Sequence, residues 1–325
     1  MKLAHRRQFL HLAAGAAALP AVPRIARAQV PTRPVRITVG FAAGGGNDLA
    51  ARLIAQWLSE RLGPPFIVES RPGAAGNIAT EAVVRAPADG YTLLIFGPEA
   101  AINATLYDKP NFNFMRDIAP VATINQEPAV LVVNPSVPAR TVREFISYAM
   151  ANPGKINMGS AGVGAASHVI GEQFKLVTGI NMVHVPYRGG GPANAGLIAG
   201  QVQVMFNRLT PTIGYIRTGQ LRALAVTTPR RSPALPDIPP LGDFVPGCET
   251  IEWLGIGVPR MTPTQIIDQL NREINAALAD PTFTARLADL GTAPMAMTPA
   301  DFGKLIADET EKWGKVIRAA DIKVE

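Results

Sequence analysis

From Val35 onward, short runs of β-branched and apolar residues alternate with segments whose apolar positions recur at helical spacing. Val35-Arg36-Ile37-Thr38-Val39 reads as a strand. It passes through Gly44-Gly45-Gly46 into a helical pattern carried by Leu49, Ala50 and Leu53. The same succession predicts a strand over 66–69, a helix over 76–85 and a strand over 91–96. Residues 121–133 read as two extended runs broken at Glu127-Pro128, and Thr141-Val142-Arg143-Glu144 is a capping-box start for a helix. A second series follows, with strands over 156–159, 182–185, 202–206 and 221–227 and helices over 164–177 and 192–199.

Between Pro229 and Pro246 the chain is proline-rich and without period, as in a surface loop. A strand over 253–258 comes next. Thr262-Pro263 and Thr298-Pro299 then place Thr at N-cap and Pro at N1 of two amphipathic helices. One carries Ile266, Leu270, Ile274 and Leu278, the other Phe302, Leu305, Ile306, Trp313 and Ile317. Such βαβ alternation predicts an α/β protein with a mostly parallel sheet in each of two units.

The turns carry the candidate chemistry. Gly44-Gly45-Gly46 ends a strand and opens a helix, and glycine there lets backbone N–H groups approach a ligand closely. The unpaired donors and positive dipole end of a helix N-terminus favour an anion, a carboxylate or a phosphate. The segment lacks the spacing of a nucleotide P-loop or a dinucleotide turn. Gly159-Ser160-Ala161-Gly162-Val163-Gly164 repeats the arrangement, and Tyr187-Arg188-Gly189-Gly190-Gly191 does so again with an aromatic ring and a guanidinium beside it. Glycine-lined helix N-termini in both halves point to a cleft between them, at the carboxyl ends of strands.

Charge changes meaning once the first residues are considered. Met1 to Leu10 hold a basic cluster with Arg6-Arg7, a short apolar stretch follows, and Ala26-Arg27-Ala28 is a cleavage site: a secretory signal peptide over 1–28 of twin-arginine type, with His5 where Ser or Thr is usual. The apolar run is too short for a membrane anchor. The whole chain has 31 basic and 25 acidic residues, but five of the basic ones and no acid lie in 1–28, so the remainder is nearly neutral. The basic balance therefore belongs to the leader and gives no support for nucleic-acid binding. Cys248 is the lone cysteine, so no internal disulfide forms and the thiol reads as a buried small hydrophobe.

Catalytic and metal chemistry find little support. Beyond the leader only His168 and His184 remain, and with one cysteine they make no zinc set. His168 lies on an apolar helix and His184 in a strand, both as packing residues. Ser160 is not in a nucleophile elbow. No cofactor is expected.

These motifs together resemble the Bug family, the substrate-binding components of tripartite tricarboxylate transporters. The resemblance is carried by Val39-Gly40-Phe41-Ala42-Ala43-Gly44-Gly45-Gly46, by Glu69-Ser70-Arg71-Pro72-Gly73-Ala74-Ala75-Gly76-Asn77-Ile78 and by Asp89-Gly90-Tyr91-Thr92-Leu93-Leu94. Gly159-Ser160-Ala161-Gly162 with Ser167-His168, and Val185-Pro186-Tyr187-Arg188-Gly189, complete it. It implies a periplasmic, monomeric, two-lobed "Venus flytrap" that closes on a small carboxylate or zwitterion and hands it to membrane subunits. Lobe 1 would comprise 29–124 and 246–325, and lobe 2 would comprise 125–245. The implied ligand residues are Phe41, Ala42, Gly44, Gly45, Asn47 and Asp48, then Gly97, Glu99, Ala100 and Asn103. From the second lobe come Ser160, Ala161, Gly162, Gly164 and His168, then Tyr187, Arg188, Gly189 and Asn207.

The chain departs from the family pattern at Pro98-Glu99-Ala100, where Ser/Thr and His are common, and at Gly196, Gln203 and Asn207, where acids are common. An acid at Glu99 would repel a second ligand carboxylate or welcome an amine, unless it merely caps the helix beginning near Pro98. Two other readings remain open at this point. One is an exported α/β hydrolase using Ser160 or Asp48, and the other is a ligand sensor for a membrane kinase.

Overall fold

A computed structural model describes residues 33–107 and 111–323, so the leader expected over 1–28 lies outside the described residues. The chain opens with β1 (Val35–Val39), α1 (Gly46–Leu62), β2 (Phe66–Ser70), α2 (Asn77–Val84) and β3 (Thr92–Phe96), followed by α3 (Glu99–Leu106) and the short α4 (Phe114–Asp117). β4 (Ile118–Glu127) and β5 (Ala129–Val133) are separated by Pro128 alone, and there the chain leaves one sheet for another. Proline has no N–H to give a ladder, which suits it to this crossing. The second unit comprises α5 (Val142–Ala151), β6 (Asn157–Ser160), α6 (Ala166–Thr178), β7 (Val183–Pro186), α7 (Gly190–Ile198), β8 (Val204–Arg208), α8 (Ile213–Arg217) and β9 (Arg222–Val226). The chain returns through 227–251 to β10 (Glu252–Pro259), α9 (Thr264–Ala279), α10 (Pro281–Asp289), β11 (Ala293–Pro294) and α11 (Pro299–Ala319).

The fold is α/β and two-lobed. One sheet runs β11-β4-β10-β3-β1-β2 and the other β7-β6-β8-β5-β9. Both are mixed rather than mostly parallel. β1 pairs in parallel with β2 and β3, and β6 with β7 and β8, as βαβ connections require. The strands next to the crossings (β4, β5, β9 and β10) all pair antiparallel, because a chain that crosses between sheets and returns reverses direction. Central strands such as β3, β5 and β10 are buried along their whole length, in keeping with their largely apolar sequences.

Local signals explain several boundaries. Thr141 Oγ1 accepts the Glu144 N–H, and Glu144 Oε2 reaches back to the Arg140 N–H. Thr298 and Asp280 cap α11 and α10 in the same way, each with Pro behind it. Thr262 does not follow that expectation. Its hydroxyl donates to the Pro259 carbonyl, and α9 starts two residues later behind Pro263 without a side-chain cap. The amphipathic faces dock as their spacing demands, with Leu270, Ile274, Ala277 and Leu278 of α9 buried against the first sheet. α11 spans more than one core: Phe302 and Ile306 pack with Phe96 and Trp253, whereas Trp313 and Ile317 join the apolar cluster built around β5, β6 and α6.

Candidate functional site

Three helices begin at one enclosed space between the sheets. α1 opens behind Gly45, α6 behind Ala165 and α7 behind Gly189, and none has a side-chain cap hydrogen bond. Their first-turn N–H groups and dipoles therefore point at a space of about 40 Å³, lined by Gly45, Gly46, Ala165, Ser167 and Gly190 among others. On that scale the cavity admits a few water-sized groups, or the end of a small solute. A larger apolar groove of about 780 Å³ lies along Pro128, Pro229, Arg231, Ile251 and Ala288, but the helix that begins on it, α10, already has its N–H groups capped by Asp280.

The lobes touch around the small cavity. The Ala42 N–H donates to the Arg188 carbonyl at 3.1 Å, and the Tyr107 hydroxyl donates to the Val163 carbonyl at 3.2 Å. Glycine makes the approach possible: a Cβ on Gly191 would meet the Ala43 carbonyl oxygen at 2.6 Å, and one on Gly189, at φ +143°, would meet the Ala42 nitrogen at 2.9 Å.

The wall from the second sheet is neutral and locally braced. Ser160, fully buried at the end of β6, places its Oγ 2.6 Å from His184 Nε2 and accepts the Gly162 N–H. The Ala161 N–H donates to Ser167 Oγ, and the Gly164 N–H to His168 Nδ1. His168 and His184 stack with ring centroids 3.9 Å apart. Burial pushes the imidazole pKa of His168 down to about 3, with His184 and Lys175 adding to it, and that of His184 down to about 4, with Lys175 adding. Both are therefore neutral at pH 7 and act as braces for the 160–164 turn. Ser160 and His184 form a pair that spacing did not suggest, with the serine fully buried in this arrangement of the lobes.

The opposite wall is charged. Arg208, at the end of β8, enters the first lobe and lies 3.0 Å from Glu252 Oε2, 3.5 Å from Glu127 Oε1 and 3.7 Å from Glu99 Oε2, all four residues being buried. Glu127 and Glu252 are direct partners across β4 and β10, and Arg208 is the partner of Ala129 across β5 and β8. Glycines make room for the arginine: a Cβ on Gly46 would lie 2.7 Å from its Cδ, and one on Gly97 would lie 2.6 Å from its Nη2. Glu99 Oε1 accepts from Asn47 Nδ2 and from the Gly97 N–H, so it both faces inward and serves the start of α3. Burial pushes the Glu252 carboxyl up to about 7; Arg208 pulls it down, while Glu99, Glu127 and Glu309 push it further up. The three carboxylates outweigh burial at Arg208 and hold its pKa above the ordinary value.

Of the residues expected at the ligand, Phe41, Gly45, Asn47, Glu99, Ala161 and Asn207 line the cavity. Ala100 and Asn103 line a smaller adjoining pocket behind Phe41. Others stand back from it. Asp48 Oδ2 takes the Gly44 N–H and Arg52 while its Oδ1 is buried without a donor among the described residues, and Gly97 donates to Glu99. Ser160 and His168 brace the turn from below, while Gly162 and Gly164 shape it with positive φ. Tyr187 packs over Gly196 with its hydroxyl on Gln201, and the Arg188 side chain is exposed, so at 187–189 the contact across the lobes is made by backbone. Arg208, Glu127 and Glu252 were not singled out from sequence. The available signal was a charge at the end of a largely apolar strand, which demands a partner if it is buried.

Two lobes closing over a cavity walled by helix N-termini define a solute-binding protein of the periplasmic type. The profile described as tripartite tricarboxylate transporter family receptor matches residues 50–322, and the chain belongs to that family. BugT of Bordetella pertussis is 34% identical over 298 residues, covering 91% of each chain. A UPF0065 protein from the tcbD-tcbE intergenic region of Pseudomonas sp. strain P51 is 35% identical over 289 residues, covering 88% of this chain and 86% of the relative. Among solved structures, an R. palustris protein with adipate superposes with a TM-score of 0.88 at 37% identity, over 90% of this chain and 99% of the other. MatC from Rhodopseudomonas palustris with bound malate gives 0.85 at 30% identity, over 88% and 99%. The chain is thus a solute-binding receptor by family and by fold, and the hydrolase reading finds no support.

Proposed function

We propose that this chain is exported, captures a small carboxylate between its lobes and delivers it to the membrane subunits of a tripartite transporter without chemically changing it. The observation that carries this is the convergence of three uncapped helix N-termini on one interlobe cavity. Such donors hold a carboxylate without any side-chain charge. The carboxylates named for the adipate- and malate-bound relatives support the same class. Closure would hinge at Glu127-Pro128 and in 227–251, with the first sheet, through Glu127 and from Glu252 onward, in one lobe and 129–226 in the other. The carboxylate would meet the lining residues Gly45, Asn47, Ala161 and Gly190. Export would follow the twin-arginine route with cleavage after Ala28.

One experiment tests these points together. Protein recovered from the periplasm by osmotic shock should begin at Gln29, and a panel of small carboxylic and amino acids should raise its melting temperature. At a hundredfold excess over Kd, the gain is about 2.7 kcal/mol. A panel in which no carboxylate raises it, or turnover of an ester abolished by Ser160→Ala, would sink the reading.

A further inference from the structure

The charged wall has more anionic groups than its partners can satisfy. Among the described residues, Arg208 is the sole cation paired with Glu99, Glu127 and Glu252. Glu99 Oε1 has two donors, Asn47 Nδ2 at 3.0 Å and the Gly97 N–H at 2.8 Å, and Glu127 Oε2 has the Thr210 N–H at 2.7 Å. Glu127 Oε1 and Glu252 Oε1 are both buried and accept no hydrogen bond from any described residue, and of the two only Glu252, whose Oε2 lies on Arg208, walls the interlobe cavity. The cluster stays net negative even with one carboxyl protonated. Buried carboxylates call for donors, and a further carboxylate beside them would be repelled.

We propose that Arg208, Glu99, Glu127 and Glu252 select the solute by its second end, accepting an ammonium or an amide and rejecting a second carboxylate. The inference rests on the receptor reading above, in which the helix N-termini hold the first carboxylate. Gly46 and Gly190 line the same small cavity as Glu99 and Glu252, so the two ends lie close together and the solute is a short zwitterion or acid amide. This separates the chain from its relatives solved with adipate and malate, each of which carries two carboxylates.

Calorimetry on the mature protein, residues 29–325, decides the matter with matched probes. Malonate, succinate and glutarate are compared with glycine, β-alanine and γ-aminobutyrate, which carry an ammonium in place of the second carboxylate, and with the monoamides of the same acids. At the length that fits, the amine or amide should bind tighter than its dicarboxylate by at least about tenfold. Glu252→Gln should shrink that preference, and Glu99→Gln is the second variant should the first fail to fold. A dicarboxylate bound as tightly as its amine and amide, or propionate bound as tightly as β-alanine, overturns this inference and leaves the receptor standing. Binding of none of the probes overturns both.

Discussion

The two walls of the cavity satisfy buried polar groups in opposite ways. Around 160–168 every group is neutral and the bonds are short-range: Ser160 to Gly162, Ala161 to Ser167, Gly164 to His168. His184, the Tyr187 N–H and the Tyr107 hydroxyl reach this wall from elsewhere in the chain. The other wall gathers ionisable groups from α3, β4, β8 and β10, which meet through tertiary structure alone. The difference lies in what each wall can lose. A neutral turn missing one hydrogen bond leaves one group short, whereas a shared counter-ion that disappears leaves three carboxylates uncompensated.

The largest expected effect breaks the comparison at that point. Arg208→Met should destabilise the protein by about 3–5 kcal/mol, the scale for an orphaned buried charge. His184→Phe keeps an aromatic ring over His168 and should lose about 1–2 kcal/mol, since Ser160 retains Gly162 as a partner. Urea unfolding of both variants at pH 8 compares them directly. A loss for Arg208→Met no larger than that for His184→Phe would mean that the charges do not dominate their wall.

The neutral wall was largely legible in the sequence, because a glycine-bounded turn between a strand and a helix is written in consecutive residues. Gly159 to Gly164 and Gly189 to Gly191 both stand where the strand-to-helix pattern put them. Glu99 was visible as an acid at a helix start, and it does face the cavity. Its company was not. Arg208 closes β8, Glu252 opens β10 and Glu127 ends β4; each is one charge at the edge of an apolar run, and nothing local says that the three runs meet. The sheets became mixed for a related reason: the direction of β4, β5, β9 and β10 follows from how the chain crosses between lobes, which periodicity does not record. At Tyr187 and Arg188, spacing located the turn but could not show that its backbone makes the hydrogen bond to the other lobe while the Arg188 side chain is exposed.

The second prediction uses pH to separate the walls. Glu252 has a folded pKa raised to about 7 against an ordinary 4.5, and the groups facing it are Arg208, Glu99, Glu127 and Glu309. Its contribution to stability is full below pH 4.5 and is lost as pH rises to about 7, with a total on the order of 3 kcal/mol. The histidines run the other way. Their lowered pKa values make a contribution that is present above pH 6.5 and lost as pH falls toward 4 and 3. Glu252→Gln removes the first trend and leaves the second. Relative to the parent it should gain stability steadily from pH 5 to pH 8 in denaturant titrations. A difference that stays flat across this range would show that Glu252 does not titrate within it.

The smallest effect concerns a bond that joins the walls. Tyr107, on the first lobe just past α3, donates its hydroxyl to the Val163 carbonyl in the neutral turn, and burial raises its pKa, so it stays protonated. The bond holds the turn to the first lobe in the closed arrangement. Its loss in Tyr107→Phe removes about 0.5–1.5 kcal/mol from closure, while the ring keeps its packing against Gly164. Because the apparent Kd scales inversely with the closed fraction, the affinity for whichever carboxylate binds should weaken by about two- to tenfold. The melting temperature of the ligand-free protein should hardly change, since Val163 is only partly buried and water can replace the lost donor. Stopped-flow dissociation places the change in the off-rate. An unaltered off-rate together with a lowered melting temperature would assign Tyr107 to the stability of the fold and not to closure.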